Sequence, residues 1–271
     1  MRSAYLLVSH GSRDSRPQVA MERLAWLVSR PRELFLQGNR TQGVESRGAE
    51  EWGSGGAIPN PKSQIPNSLV PLVGTAYLEL SPTPLHQQIA EFSDRALSCG
   101  YQQVQVVPMF LLPGVHVMED IPAEVELARQ VLQAKAKLEL RPHLGSHAGL
   151  VRLLQKQLDR TQAEKIILLA HGSRRKGAGH PVEAIAQQIG AVAAYWSVSP
   201  SLAERVQELA IAGRQRIAIV PYFLFAGGIT DAIAEVVGQL QQQFPAIEFC
   251  LMEPLGATQE LADLIRDLIE V

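Results

Sequence analysis

Four short segments recur in the same order in both halves of this 271-residue chain, and that repetition limits the possible folds more than any other feature. Leu6-Leu7-Val8-Ser9-His10-Gly11-Ser12-Arg13 matches Leu168-Leu169-Ala170-His171-Gly172-Ser173-Arg174. Ala76-Tyr77-Leu78-Glu79-Leu80-Ser81-Pro82 matches Ala194-Tyr195-Trp196-Ser197-Val198-Ser199-Pro200. Val107-Pro108-Met109-Phe110-Leu111 matches Val220-Pro221-Tyr222-Phe223-Leu224, with Gly114 opposite Gly227, and Leu144-Gly145 matches Leu255-Gly256. Ordered recurrence of this kind marks an internal duplication.

Each unit alternates short aliphatic runs with helical stretches. In the first, a run over 5–8 enters the polar loop His10-Gly11-Ser12, and a helical stretch follows over 17–36. Further runs cover 72–80 and 104–109, the latter rich in β-branched residues and read as a buried strand. Helices are predicted at 84–99, 121–136 and 150–160, with a short strand at 138–141. The second unit repeats the order over 165–271. Strands alternating with helices predict a parallel sheet covered on both faces. Right-handed crossovers make it doubly wound. The expected fold is therefore α/β: two tandem Rossmann-like parallel-sheet domains, 1–162 and 163–271, with the active site in the cleft between them.

The units differ in one place. His10 and Tyr77 are 67 positions apart, whereas His171 and Tyr195 are 24 apart. The excess, 37–68, holds six Gly, three Pro, four Ser and three Asn and lacks Leu and Phe. It cannot bury enough apolar surface to offset its ordering entropy, and it reads as a disordered surface insertion, with Trp52 as a conceivable anchor.

Composition narrows the function classes. A hydrophobic share of 46% with 19% charged residues gives a packed core and excludes global disorder. A net charge of −2 argues against a general nucleic-acid or anionic-membrane surface. The longest apolar run, 217–229, contains Pro221 and two glycines and falls short of a membrane span. The N-terminal run is too short for a signal peptide. Cys99 and Cys250, read as core or near-core residues, exclude a disulfide scaffold and a thiolate zinc cluster. A cytoplasmic monomer or weak homodimer is expected, with no nucleic-acid or membrane partner.

In a doubly wound sheet, ligands bind beyond the carboxyl ends of the strands. His10 follows the first strand directly, and His116 lies seven residues after the strand over 104–109. Both loops open at one edge, so the imidazoles can converge as a divalent-metal site, with Glu119 nearby for charge. A single loop histidine is more often a hydrogen-bonding or surface residue; two at equivalent strand ends favour the metal. The second unit keeps His171 but sets Ile229 opposite His116 and Ser197 opposite Glu79. One equipped unit is therefore expected, with His171 a structural remnant. His86, His143, His147 and His180 show no partner at ligand spacing. Gly11-Ser12 and Gly172-Ser173 suit anion-binding helix starts, although Ser12 serves equally as an N-cap. Arg13, Arg16, Arg174 and Arg175 suit a carboxylate-rich ligand. Gly53-Ser54-Gly55-Gly56 follows no strand and is no dinucleotide fingerprint.

These motifs resemble those of the sirohydrochlorin chelatases of the class II chelatase group. Val8-Ser9-His10-Gly11-Ser12-Arg13 resembles the family's first-strand motif, and Tyr77-Leu78-Glu79-Leu80 its second-strand segment. The run from Val106-Val107-Pro108-Met109 through Pro113-Gly114-Val115-His116-Val117-Met118-Glu119-Asp120 resembles its second, more specific signature. The resemblance covers nearly the whole chain except 37–68, in the long two-domain form. It implies insertion of a divalent metal into sirohydrochlorin, an early tetrapyrrole of siroheme and cobalamin synthesis, with release of two protons. It implies His10 and His116 as the catalytic pair that hold the metal and take pyrrole protons. Glu79 matches an assisting position and, with Ser12, Arg13, Pro113 and Gly114, is expected toward the substrate. The metal, Fe²⁺, Co²⁺ or Ni²⁺, is itself substrate, and no permanently bound cofactor is expected. A C-terminus without a His-rich or iron–sulfur tail leans the expectation to iron, or to a member serving both iron and cobalt.

The chemistry fits those residue types. An imidazole, with an ordinary pKa of about 6.5, accepts a proton near neutral pH. The same group binds borderline metals, and affinity order alone does not choose among them. Two ligands hold an ion loosely enough to hand it on; a closed four-ligand site would keep it. Two rival readings stay open. One is a non-catalytic carrier of metal or tetrapyrrole in the same cleft. The other is a phosphohistidine carrier, with His10 phosphorylated and the Gly11-Ser12 amides cradling phosphate.

Overall fold

The computed structural model describes residues 2–30, 71–175 and 177–270. The first half runs β1 (Ser3–Ser9), α1 (Ser15–Ser29), β2 (Val73–Tyr77), α2 (Leu85–Ser98), β3 (Gln103–Pro108), α3 (Ile121–Leu132), β4 (Lys137–Leu140) and α4 (Gly149–Leu158). The second runs β5 (Lys165–Ala170), α5 (His180–Gln188), β6 (Ala191–Tyr195), α6 (Leu202–Ile211), β7 (Arg216–Pro221), α7 (Gly228–Gln243), β8 (Glu248–Leu251) and α8 (Gln259–Glu270). The insertion expected at 37–68 lies outside the described residues.

Each half holds a four-stranded parallel sheet, in the orders β2-β1-β3-β4 and β6-β5-β7-β8. The repetition extends to register. Ser9 pairs with Tyr77 and Val8 with Pro108; Ala170 pairs with Tyr195 and Leu169 with Pro221. Helices cover both faces of the central strands, and all six residues of β3 are buried, Gln103 and Gln105 included. Side-chain alternation instead divides β1 between two cores: Leu6 and Val8 face outward to α2 and α3, and Leu7 faces inward.

The inner core belongs to both halves. Leu24 of α1, Leu150 and Leu154 of α4, Val182 of α5 and Leu261 and Ile265 of α8 pack there with Leu7, Val107, Leu168 and Val220. Each fully buried Leu or Ile contributes about 1.5–3 kcal/mol, so the two sheets are joined by an apolar layer rather than a linker. Separate outer cores lie under α2 and α3 and under α6 and α7. Cys99 and Cys250, read as core residues, are both exposed. Cys99 caps the C-terminal end of α2, and Cys250 lies on the outward-facing positions of the edge strand β8.

Arg16 adds a polar tie between the halves. Its Nη1 donates to Asp231 Oδ1 at 3.0 Å, in the first turn of α7, and its Nε donates to Asp14 at 3.0–3.1 Å. The guanidinium holds both carboxyls below the ordinary carboxylate range, chiefly through these side-chain hydrogen bonds. A depressed folded-state pKa stabilises above the unfolded value, about 3.9, and that stabilisation is lost as pH falls through the folded value. Asp231→Asn is therefore expected to melt below the wild type at pH 7 and alongside it once the pH has fallen below the depressed folded-state value, with added salt narrowing the gap at pH 7. A gap that ignores pH and salt would contradict this role.

Candidate metal centre

Three side chains meet beyond the carboxyl ends of β1, β2 and β3. This is the switch point of the first sheet, where the chain adds β2 on one side of β1 and β3 on the other. The pairing of β1 with β2 runs past both strands: Leu78 N–H donates to Ser9 O at 2.9 Å and Glu79 N–H to His10 O at 2.8 Å. That extension lays Glu79 beside His10. It requires Gly11, whose φ is +101° and where a Cβ would stand 2.0 Å from the Glu79 carbonyl oxygen. Gly172 holds the matching place in the second half, where a Cβ would meet Tyr195 and Val198 at 2.8 Å. Gly11→Ala is thus expected to push Glu79 away from His10 and cut the reaction of this site by at least about 10-fold. Gly172→Ala is expected to lower the melting temperature with activity retained. Full activity in Gly11→Ala would show that the close approach does not matter.

His116 opens a π-helical turn, His116–Asp120, that leads into α3. Ile121 N–H donates to His116 O, five residues back. Pro122 has no N–H to offer the carbonyl four residues before it, and the wider turn lies just ahead of it. In that turn Asp120 comes back beneath His116, its Oδ2 2.7 Å from Nδ1. With Nδ1 engaged, Nε2 is the ring nitrogen left for a ligand, and the carboxylate fixes the ring. The rings of His10 and His116 meet edge-on at 77°, with centroids 4.8 Å apart. Phe110 flanks them, its centroid 6.4 Å from His10 and 6.1 Å from His116. His10 Nδ1 lies 3.6 Å from Glu79 Oε2. One ligating atom from each of His10, Glu79 and His116 lies within 4.8 Å of the others. Two imidazoles and a carboxylate suit a borderline divalent metal, and their partial exposure leaves room for a second ligand set.

The other expected residues divide. Glu119, read as a metal ligand, stands apart from this triad, with Oε1 3.9 Å from Arg175 Nη1 of the second half. In the π turn the residue four on, Asp120, faces His116, and Glu119 turns toward Arg175. Glu79, expected on the substrate, brings a carboxylate oxygen within 4.8 Å of a ring nitrogen of each histidine. Ser12 Oγ accepts from Asp14 N–H at 3.0 Å and shapes the turn into α1. Arg13 is exposed on the same loop, whereas Arg16, read as carboxylate-binding, is engaged by Asp14 and Asp231. Pro113 and Gly114 are exposed, and Gly114 O accepts from Val117 and Met118 N–H at 3.1 and 3.0 Å, opening the turn.

Two of the remaining histidines have partners for their side chains. His86 Nδ1 lies 2.9 Å from Glu124 Oε2, a pairing that spacing did not reveal, and ties α2 to α3. His147 Nδ1 accepts from Gly149 N–H at 3.0 Å as α4 begins. In the second half Ser197 Oγ donates to His171 O at 2.8 Å, so the position matching Glu79 is spent on the backbone. Sequence reasoning missed Asp120 as the partner of His116, although its i+4 spacing was a readable signal. Phe110 and the Glu119–Arg175 approach had none.

The family model named CbiX matches residues 63–161 and again 165–270, once in each half. This chain belongs to the CbiX family. Among curated CbiX-like relatives, the sirohydrochlorin cobaltochelatase of Priestia megaterium is 27% identical over 215 residues, 73% of this chain and 69% of the relative. The sirohydrochlorin ferrochelatase of the same organism is 24% identical over 214 residues, 74% of this chain and 78% of the relative. The solved structure of SirB from Bacillus subtilis with Fe³⁺ aligns over 100% of this chain and 95% of its own, with a TM-score of 0.68 at 19% identity. That likeness establishes a shared fold. No described helix of this CbiX chain is long and apolar enough to cross a membrane.

Proposed function

We propose that this chain is a sirohydrochlorin chelatase: it inserts a divalent metal into the tetrapyrrole and releases two protons. The observation that carries the reading is the His10–Glu79–His116 triad at the switch point of the first sheet, in a CbiX chain whose curated relatives are sirohydrochlorin cobalto- and ferrochelatases. The metal ion enters as substrate, and no resident cofactor takes part. His10 and His116 hold it through ring nitrogens, and Glu79 supplies the negative charge that offsets part of its own. Asp120 keeps the His116 ring aimed. As the ion passes to the pyrrole nitrogens, two N–H protons leave. The freed imidazoles and the Glu79 carboxylate are the nearest acceptors, and charge balances as M²⁺ replaces 2 H⁺.

Three protein ligands form an open site that releases its ion readily. Arg13, exposed beside His10, and Arg175, across the cleft, suit the carboxylates on the pigment rim. Fe²⁺ and Co²⁺ are both within the donor set. The same reading places the chain in the cytoplasm as a monomer or weak homodimer, with no nucleic-acid or membrane partner.

The test is anaerobic metallation of sirohydrochlorin by the whole chain, followed by absorbance. Fe²⁺, Co²⁺ and Ni²⁺ are each run with and without protein. Acceleration over the protein-free rate is expected, and the ratio of rates ranks the metals. Tight pigment binding without acceleration would leave a carrier, and neither binding nor acceleration would overturn the reading.

A further inference from the structure

Leu80 carries two unfavourable features at once. Its side chain is 59% exposed, and its φ is +56°, in the left-handed region that non-glycine residues avoid. The duplication supplies an internal control, because Val198 holds the corresponding place after β6. Val198 packs against the inner core and is not among the left-handed residues. Equivalent hydrogen bonds lead into both positions, from Glu79 N–H to His10 O and from Ser197 N–H to His171 O. The turn after β6, which continues through a cis Ser199–Pro200 peptide, has neither a left-handed residue nor an exposed aliphatic side chain at this place. The first half adopts both, and it does so directly after Glu79. Met118 shares the exposure but not the left-handed backbone. It is 64% exposed and lies on the π turn between His116 and Asp120.

We propose that Leu80 and Met118 form an apolar shelf on which the face of the planar tetrapyrrole rests above the triad. The proposal builds on the chelatase reading and assigns the residues that seat the pigment. A tetrapyrrole has a charged rim and an apolar face. Its nitrogens must come over His10 and His116 while that face leaves water. Large apolar side chains beside two of the three ligands meet that need, and a flexible, polarisable thioether adapts to a ring edge. The left-handed backbone at Leu80 is what turns its side chain outward where Val198 turns inward.

The test uses Leu80→Gly, which removes the side chain and relieves the φ, and Met118→Ala. Three properties are read on the whole chain: metal-free binding of sirohydrochlorin by absorbance, Co²⁺ binding by its visible spectrum, and the melting temperature. Leu80→Gly is expected to melt a few degrees higher, to bind the pigment about 10-fold more weakly and to bind Co²⁺ as the wild type does. Met118→Ala is expected to weaken pigment binding about as much, with Co²⁺ binding again unchanged. A merely structural role would lower the melting temperature and leave the pigment Kd alone. Wild-type pigment affinity in both variants would overturn the shelf and leave the chelatase reading standing. A wild-type chain that binds no pigment would overturn both.

Discussion

His116→Ala and His10→Ala are each expected to lower the rate of sirohydrochlorin metallation by at least about 100-fold, and His171→Ala to leave it close to wild type. The asymmetry follows from the duplication. His10, Glu79 and His116 bring their ligating atoms within 4.8 Å. In the second half the matching positions are His171, Ser197 and Ile229, and Ser197 Oγ is bonded to the His171 carbonyl. Among the described residues His171 joins no cluster of three metal-ligating side chains, and a lone imidazole does not hold an ion through a transfer. Both halves share one inner core, so a purely structural defect would be felt from either side. Melting temperatures separate the two causes. His116 is partly exposed, and its truncation is expected to leave the fold nearly as stable as before. Equal losses from His171→Ala and His116→Ala would refute a single site in the first half.

Arg266→Ala is expected to destabilise the whole chain by about 3 kcal/mol. Arg266 is 5% exposed on α8. Its Nε donates to Val28 O at 3.3 Å and its Nη2 to Arg30 O at 3.0 Å and to Leu27 O, while Nη1 meets Asp263. Those three carbonyls end α1, where the helix dipole is negative, and among the described residues only Leu27 O also takes a backbone donor there, Arg30 N–H at 3.3 Å. The second half thus caps a helix of the first. The tie is returned by Arg141, whose Nε and Nη2 donate to Leu268 O of α8 at 3.0 and 2.6 Å. Truncating Arg266 strands carbonyls inside the shared core and opens a void there. Arg266→Lys recovers part of the loss, because one ammonium cannot reproduce the fork. Urea unfolding is the measurement: a lowered midpoint and one shared transition for both halves are expected. A loss under about 1 kcal/mol would show that water replaces the guanidinium at α1.

Much of this was legible because duplication gave the sequence its own alignment. The order of strands and helices followed from the aliphatic runs and the paired anchors, and the pairing of Ser9 with Tyr77 and Ala170 with Tyr195 follows those anchors residue for residue. The convergence of His10 and His116 was readable from loops at equivalent strand ends. The carboxylate that joins them was not. Glu119 is close to His116 in sequence, but a π turn, invisible in a hydrophobic pattern, brings Asp120 to the ring instead. Glu79 reaches His10 through a ladder that continues past β1 and β2, and that continuation depends on a backbone contact at Gly11. Arg16 looked like a ligand-binding cation because its partner Asp231 is 215 positions away. Cys99 and Cys250 illustrate a limit of composition: a small apolar residue is placed by its side of the element, and both fall on the solvent side.

The most direct test of the metal centre is X-ray absorption on the Co²⁺-loaded chain, counting imidazole ligands in the wild type, His116→Ala and His171→Ala. Two imidazoles are expected in the wild type, one in His116→Ala, and still two in His171→Ala. An unchanged count in His116→Ala, or a reduced one in His171→Ala, would contradict a metal site built from His10, Glu79 and His116 of the first half.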